Sequence, residues 1–281
     1  MPRDLLAGFS IEVTPRALRG AGDLTALLPR GTTVYIAHIA GTPFDDMLWA
    51  AKTLRGAGFQ PQPHFPARLI ADRAALVDMI HRYQDAADVR RALVLGGGPR
   101  SPVGDFDRAL QLIETEAFDR AGFTHLFFAG HPEGSPDLDP SGGTQTADAA
   151  LVSKRDFAQC SDAQSALVTQ FVFDAQPVID WTARIASLGV DLPVHVGLAG
   201  PAKLSALIRF GLACGVGSSL QVLNKRRGDL RHFLFPMRPD AVAAALAAHV
   251  AAQPTSPIAA LHLFPIGGIK PAAHWATGKR F

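Results

Sequence analysis

Eight short runs rich in β-forming residues recur along the chain, and most are followed by a segment whose apolar residues fall at helical spacing. The runs are Phe9 to Val13, Thr33 to His38, Phe59 to His64, Ala92 to Leu95, His125 to Ala129, Ala166 to Phe171, Val194 to Gly197 and Ala259 to Phe264. Candidate crossover helices are Pro43 to Ala57, Asp72 to Ala86, Gly104 to Ala121, Pro177 to Gly189, Ala202 to Cys214 and Pro239 to Ala252. Strands that alternate with helices pair in parallel, and eight of them favour an α/β (β/α)8 TIM barrel over a doubly wound sheet. The length of 281 residues suits a single such domain, 1–281, with 265–281 left over as a C-terminal loop or tail. Regularity is weakest from Gly215 to Asp229, which reads as an irregular connection.

Composition narrows the function classes. A net charge of +2, with no basic run longer than Lys225 to Arg227, argues against a nucleic-acid surface, and that triplet reads as a solvated loop. The two cysteines, Cys160 and Cys214, make no disulfide framework and fall in no metal-ligand spacing, so they read as buried or idle thiols and no metal is expected. No apolar run reaches membrane-spanning length and the amino terminus has no signal-type segment, so a cytoplasmic location is expected. A homo-oligomer is expected as well, since barrels of this size occur as dimers and tetramers.

Barrels carry their chemistry where strands end. The fifth run empties into AGHPEGSPD, a polar loop with His131, Glu133 and Asp137. In the first run, Glu12 stands between Ile11 and Val13, where burying a carboxylate is costly unless it is partnered or protonated; an outward-facing strand residue is the alternative. The second and third runs end with His38 and His64, which are either structural hydrogen-bonders or ligands. The fourth ends in Leu95-Gly96-Gly97-Gly98, where backbone N–H groups can approach a ligand or the chain simply turns. Gln170 lies in the apolar run ALVTQFVFD, and its amide suits either a heterocyclic ring edge or neighbouring backbone.

The segments FSIEVTP, the Leu-Gly-Gly-Gly turn, AGHPEGSPD, VTQFVFD and PVHVGLAGP follow the order and approximate spacing found in methylenetetrahydrofolate reductases. The chain resembles that family from Phe9 to Phe264, and HPEG together with TQFVFD is the more specific part of the likeness.

The resemblance implies a barrel that holds FAD at the carboxyl ends of its strands. The reduced flavin passes a hydride to 5,10-methylenetetrahydrofolate, and NAD(P)H reloads it. Glu12 matches the general acid that protonates folate N10, and Gln170, with Phe171 beside it, matches the pterin contact. His38, His64, Leu95, Gly96, Gly97, Gly98 and His131 match positions around the flavin; Asp148 matches the adenosine end, with Lys154 or Arg155 as the pyrophosphate's basic partner. Phe210 or Phe233 could cover the nicotinamide face.

The chain departs from the family at four places. Gly98 stands where the family has an aspartate near flavin N1, His131 stands for a tyrosine, Ser135 for a histidine, and Ala37-His38 for a threonine. Losing one charge at ~5 Å and an effective dielectric of ~20 is worth roughly 3 kcal/mol and raises the flavin potential, which implies a preference for oxidising 5-methyltetrahydrofolate. The alternative is a folate- or flavin-binding barrel subunit without reductase activity of its own.

Overall fold

The computed structural model describes residues 4–214 and 236–278. The Gly215 to Asp229 connection, its Lys225 to Arg227 run and Phe233 lie outside the described residues. All eight expected runs form strands: β1 (Ser10–Val13), β2 (Thr33–Ile36), β3 (Gln60–Pro66), β4 (Arg91–Leu95), β5 (His125–Gly130), β6 (Gln164–Val172), β7 (Val194–Ala199) and β8 (Ile258–Phe264). They close in sequence order into a barrel, with parallel pairing. Pairing on both sides meets the backbone hydrogen bonds of β2, β3 and β4.

The helices follow from apolar periodicity and caps. In the helix Phe44–Gly56, Met47, Ala50, Ala51 and Leu54 are buried along one face, with Asp45 and Asp46 in the first turn. In the helix Arg73–Ala87, Asp72 caps the start by accepting from Ala75 N at 2.8 Å, and Asp88 ends the helix in the left-handed region.

Two expectations need correction. The helix expected over Gly104 to Ala121 is broken into Ala109–Glu114 and Ala117–Arg120. The Thr115 hydroxyl donates to Leu112 O at 2.6 Å and accepts from Ala117 N at 3.2 Å, and Glu116 turns to φ 59°; a hydroxyl that satisfies the backbone locally competes with the helix. The tail expected after Phe264 instead carries a helix, Ile269–Thr277, which buries Ile269, Ala272 and Ala273. Both cysteines are exposed, not buried as one of the two readings has it, and neither forms a disulfide among the described residues; no described helix is long and apolar enough to cross a membrane.

The chain divides into two compact units. One comprises Ser10–Ala129 with Ser153–Leu167; the other takes the described residues of Met1–Phe9, Gly130–Val152 and Val168–Phe281. In the first, Phe65 of β3 packs against Tyr83, Phe118 and Phe123 on the helix side, so His64 and Gln62 are turned to the opposite, inner face of the strand. In the second, Phe171 packs with Ala199, Ala202, Leu204 and Leu207.

The loop after β4 is clamped to the segment after β3. Arg68 N donates to Gly96 O at 2.9 Å, Arg68 Nε to Asp107 O at 2.9 Å, and Asp105 N to Ala71 O at 2.7 Å. At Gly104 a Cβ would lie 1.9 Å from Ala71 O, whereas at Gly98 it would meet nothing within 4 Å. Gly104→Ala is therefore expected to cost at least about 2 kcal/mol in a denaturant titration, while Gly98→Ala stays within about 0.5 kcal/mol.

Candidate functional site

The strands β1 to β4 carry an unusual set of polar side chains on their inner faces. Register places Glu12 opposite Tyr35, and Tyr35 opposite Gln62. Residues in register on parallel strands point to the same side, and alternation adds Ser10 and His64 to that side. Tyr35 and Gln62 are fully buried, and His64 is 8% exposed. Gln62 Nε2 donates to Ala92 O at 3.2 Å while its Oε1 accepts from Arg91 Nε at 3.3 Å. Burial pushes the Tyr35 hydroxyl far above its ordinary range, with Arg91 acting against the shift and Glu12 adding to it, so this phenol stays neutral.

Glu12 and His64 form the chemical centre of this group. His64 Nε2 lies 3.2 Å from Glu12 Oε2, at ion-pair distance but out of line for a hydrogen bond, with side chains 10% and 19% exposed. The Tyr35 and His64 rings meet edge to face, with centroids 6.2 Å apart. His38 lies just beyond β2; burial holds its imidazole below the usual range, nearby His64 adds to this, and the Thr42 backbone opposes it. Deeper on the inner face, Arg91 pairs in register with His125, whose imidazole is held down at about 4 by burial and then by Arg91.

Sequence reasoning singles out Glu12, His38 and His64, which the fold brings together, and misses Tyr35, Gln62, Arg91 and His125. Period-2 alternation along β2 to β5 is the signal that would have found them, since Gln62 and His64 are two apart, as are His125 and Phe127.

Gln170 and Phe171 belong to β6 and fall on opposite faces. Phe171 is 2% exposed within its apolar cluster, so the substrate role assigned to it is corrected: a ring covered by Leu204, Leu207 and Phe264 offers no face to a ligand. Gln170 is half-buried; its Oε1 accepts from Phe171 N at 3.0 Å, and its amide nitrogen makes no hydrogen bond to the described residues. The strand is set by Thr169, whose hydroxyl donates to Gln170 O at 2.8 Å and accepts from Gly197 N at 2.9 Å.

Four positions assigned to the flavin lie in the turn after β4. Leu95 ends that strand, Gly97 takes φ 102°, and added Cβ atoms at Gly96 and Gly98 would meet nothing within 4 Å. Bare backbone of this kind suits a planar ring. His131 lies in the loop after β5, where its carbonyl accepts from Gly134 N at 3.1 Å. Phe210 is exposed on the helix Leu204–Ala213, with the Arg209 guanidinium 5.6 Å from its ring centroid.

The adenosine end does not fit FAD as it stands. Asp148, in the helix Gln145–Cys160, accepts from Arg184 and also from the Thr144 hydroxyl at 2.9 Å. Lys154, 5% exposed, donates to Ala129 O at 2.9 Å, and Arg155 pairs with Asp156 at 2.5 Å. All three side chains are already committed within the chain.

The chain matches no protein-family model. Its structure is similar to that of a Clostridium thermocellum protein that binds two copies of 5-methyl-5,6,7,8-tetrahydrofolic acid, with a TM-score of 0.59 at 9% identity over 98% of this chain and 97% of that one. A mutant tryptophan synthase α-subunit from Pyrococcus furiosus gives 0.47 at 10% identity, over 94% and 89%. At such identities the first likeness establishes the shared barrel fold, and the second carries no argument.

Burial lowers the Lys154 ammonium from 10.5 to about 8. A lysine depressed in the folded state binds fewer protons there than in the unfolded chain, so its burial costs about 3 kcal/mol below pH 8, and the cost is relieved as pH rises from 8 towards 10.5. Measured by denaturant unfolding, the stability of the wild type relative to Lys154→Met is expected to rise across that window.

Proposed function

We propose that this barrel is an enzyme of one-carbon folate chemistry that interconverts 5,10-methylenetetrahydrofolate and 5-methyltetrahydrofolate, with Glu12 as the acid. The observation that carries the reading is a carboxyl group set within β1, largely withdrawn from water, and held beside His64 and Tyr35 on the inner face. In the reducing direction Glu12 protonates N10 as the bond from N10 to the methylene carbon opens; the resulting N5 iminium then accepts a hydride. In the oxidative direction the Glu12 carboxylate takes the N10 proton back. The amide nitrogen of Gln170 is a donor suited to a pterin acceptor.

Support comes from the resemblance in HPEG and TQFVFD and from the folate bound by the Clostridium thermocellum barrel. The hydride carrier is an exchangeable co-substrate, FAD or NAD(P)H, because Asp148, Lys154 and Arg155 are spent on internal partners. The same observation favours a second reading, a folate-binding subunit without independent reductase activity.

The test is anaerobic turnover of both folates with FAD and NAD(P)H supplied, alongside calorimetric titration with 5-methyltetrahydrofolate. Glu12→Gln is expected to lower kcat by about 10²–10⁴-fold with folate affinity nearly unchanged, and Gln170→Ala to weaken folate binding about fivefold to tenfold. Folate binding without turnover under any of these conditions selects the subunit reading. No folate binding contradicts both, and FAD retained stoichiometrically through desalting contradicts the exchangeable carrier.

A further inference from the structure

We infer that His64 is not a cofactor contact but the proton partner of Glu12, a positioning residue that returns the carboxyl group to its acid form between turnovers. The inference rests on the folate reading above and assigns that site its proton supply.

The geometry is specific. Nε2 of His64 is 3.2 Å from Glu12 Oε2, and both side chains are largely withdrawn from water. Two ions in such a place must be removed from most of their hydration, so a pair that holds one proton gains by keeping it on the carboxyl group and leaving both partners neutral. That is the state a general acid requires. On the neighbouring strands of the same unit, Tyr35 on β2 is held neutral by burial and Gln62 on β3 has no titrating proton. Beyond them, Arg91 on β4 is a fixed cation turned to Gln62, and His125 on β5 stays neutral with a value of about 4. His38, in the loop after β2, disfavours a second charge beside His64, so the two imidazoles do not become cations together readily.

When Glu12 gives its proton to folate N10 it becomes a carboxylate, and a small turn of the neutral His64 ring brings its Nε2 proton, out of line in the resting arrangement, towards Oε2. A proton taken up from solvent at Nδ1 lets the Nε2 proton pass to Oε2, which restores the acid and leaves His64 neutral with its proton on Nδ1. Exchange of that proton with solvent resets the ring. No electrons move and no co-reactant beyond water is needed.

The experiment compares wild type, His64→Gln and His64→Asn, with circular dichroism confirming that each variant folds. Three quantities are read: the 5-methyltetrahydrofolate Kd, the pH profile of kcat, and the recovery of kcat on adding imidazole to His64→Gly. The inference predicts a 10- to 100-fold loss of kcat in both variants with Kd within twofold, a changed pH profile of kcat, and partial recovery with imidazole. It is overturned if kcat stays within twofold, or if kcat and affinity fall together under an unchanged profile. If the wild type does not turn over folate at all, the folate reading fails and the relay fails with it. Infrared difference spectroscopy of the unliganded wild type against Glu12→Gln then reports on the pairing separately: a C=O stretch of a neutral carboxyl group at neutral pH, lost in Glu12→Gln, is the expected result, and carboxylate bands alone overturn the shared neutral pair.

Discussion

Placing Glu12 inside β1 removes its carboxylate from most of the water that would solvate it, and the neighbouring strands are built around that cost. A barrel lumen is ordinarily filled by layers of branched apolar side chains. Here β1 to β4 instead turn Ser10, Glu12, Tyr35, Gln62, His64 and Arg91 to the same side, and the aromatic packing of Phe65 against Tyr83, Phe118 and Phe123 fixes which side that is. Each polar group constrains the next. Gln62 spans the Ala92 carbonyl and Arg91, Tyr35 stays neutral, and His64 is left facing the carboxyl group. The fold supplies the rigidity, since parallel strands locked on both edges cannot shift register without turning these side chains to the helices.

The second unit shows what the same type of scaffold does when its charges serve structure. Asp148, Arg184 and Thr144 tie the helix Gln145–Cys160 to Gln176–Ser187, while within the first unit Lys154 spends its ammonium on a single carbonyl. Lysine at Lys154 is a costly choice at neutral pH. Its burial and its contact with Ala129 O hold its ammonium within the chain. On the function proposed above, a carrier that enters and leaves needs no such anchor.

The barrel was legible because its signal is local: eight apolar runs with helical periodicity between them are visible without knowing any contact. The break at Thr115 and Glu116 was not, because it depends on one hydroxyl competing for two backbone groups. Phe264 marked the end of the pattern, and the helix beyond it hides behind the glycines and proline of IGGIKPAAHWATGKRF. At the site, Glu12 announced itself as a charge in an apolar run, and His38 and His64 as matching strand ends. Tyr35 and Gln62 are ordinary residues by type, and only the register between strands makes them neighbours of Glu12. Phe171 failed for the complementary reason: adjacency to Gln170 in sequence means opposite faces in a strand.

The central claim is that Glu12 acts on a bound folate, and the most direct test is a crystal structure of the protein with 5-methyltetrahydrofolate. The account predicts folate N10 within hydrogen-bonding distance of the Glu12 carboxyl group, with His64 still behind it. Folate bound elsewhere on the barrel, with Glu12 in contact only with its protein neighbours, would contradict it.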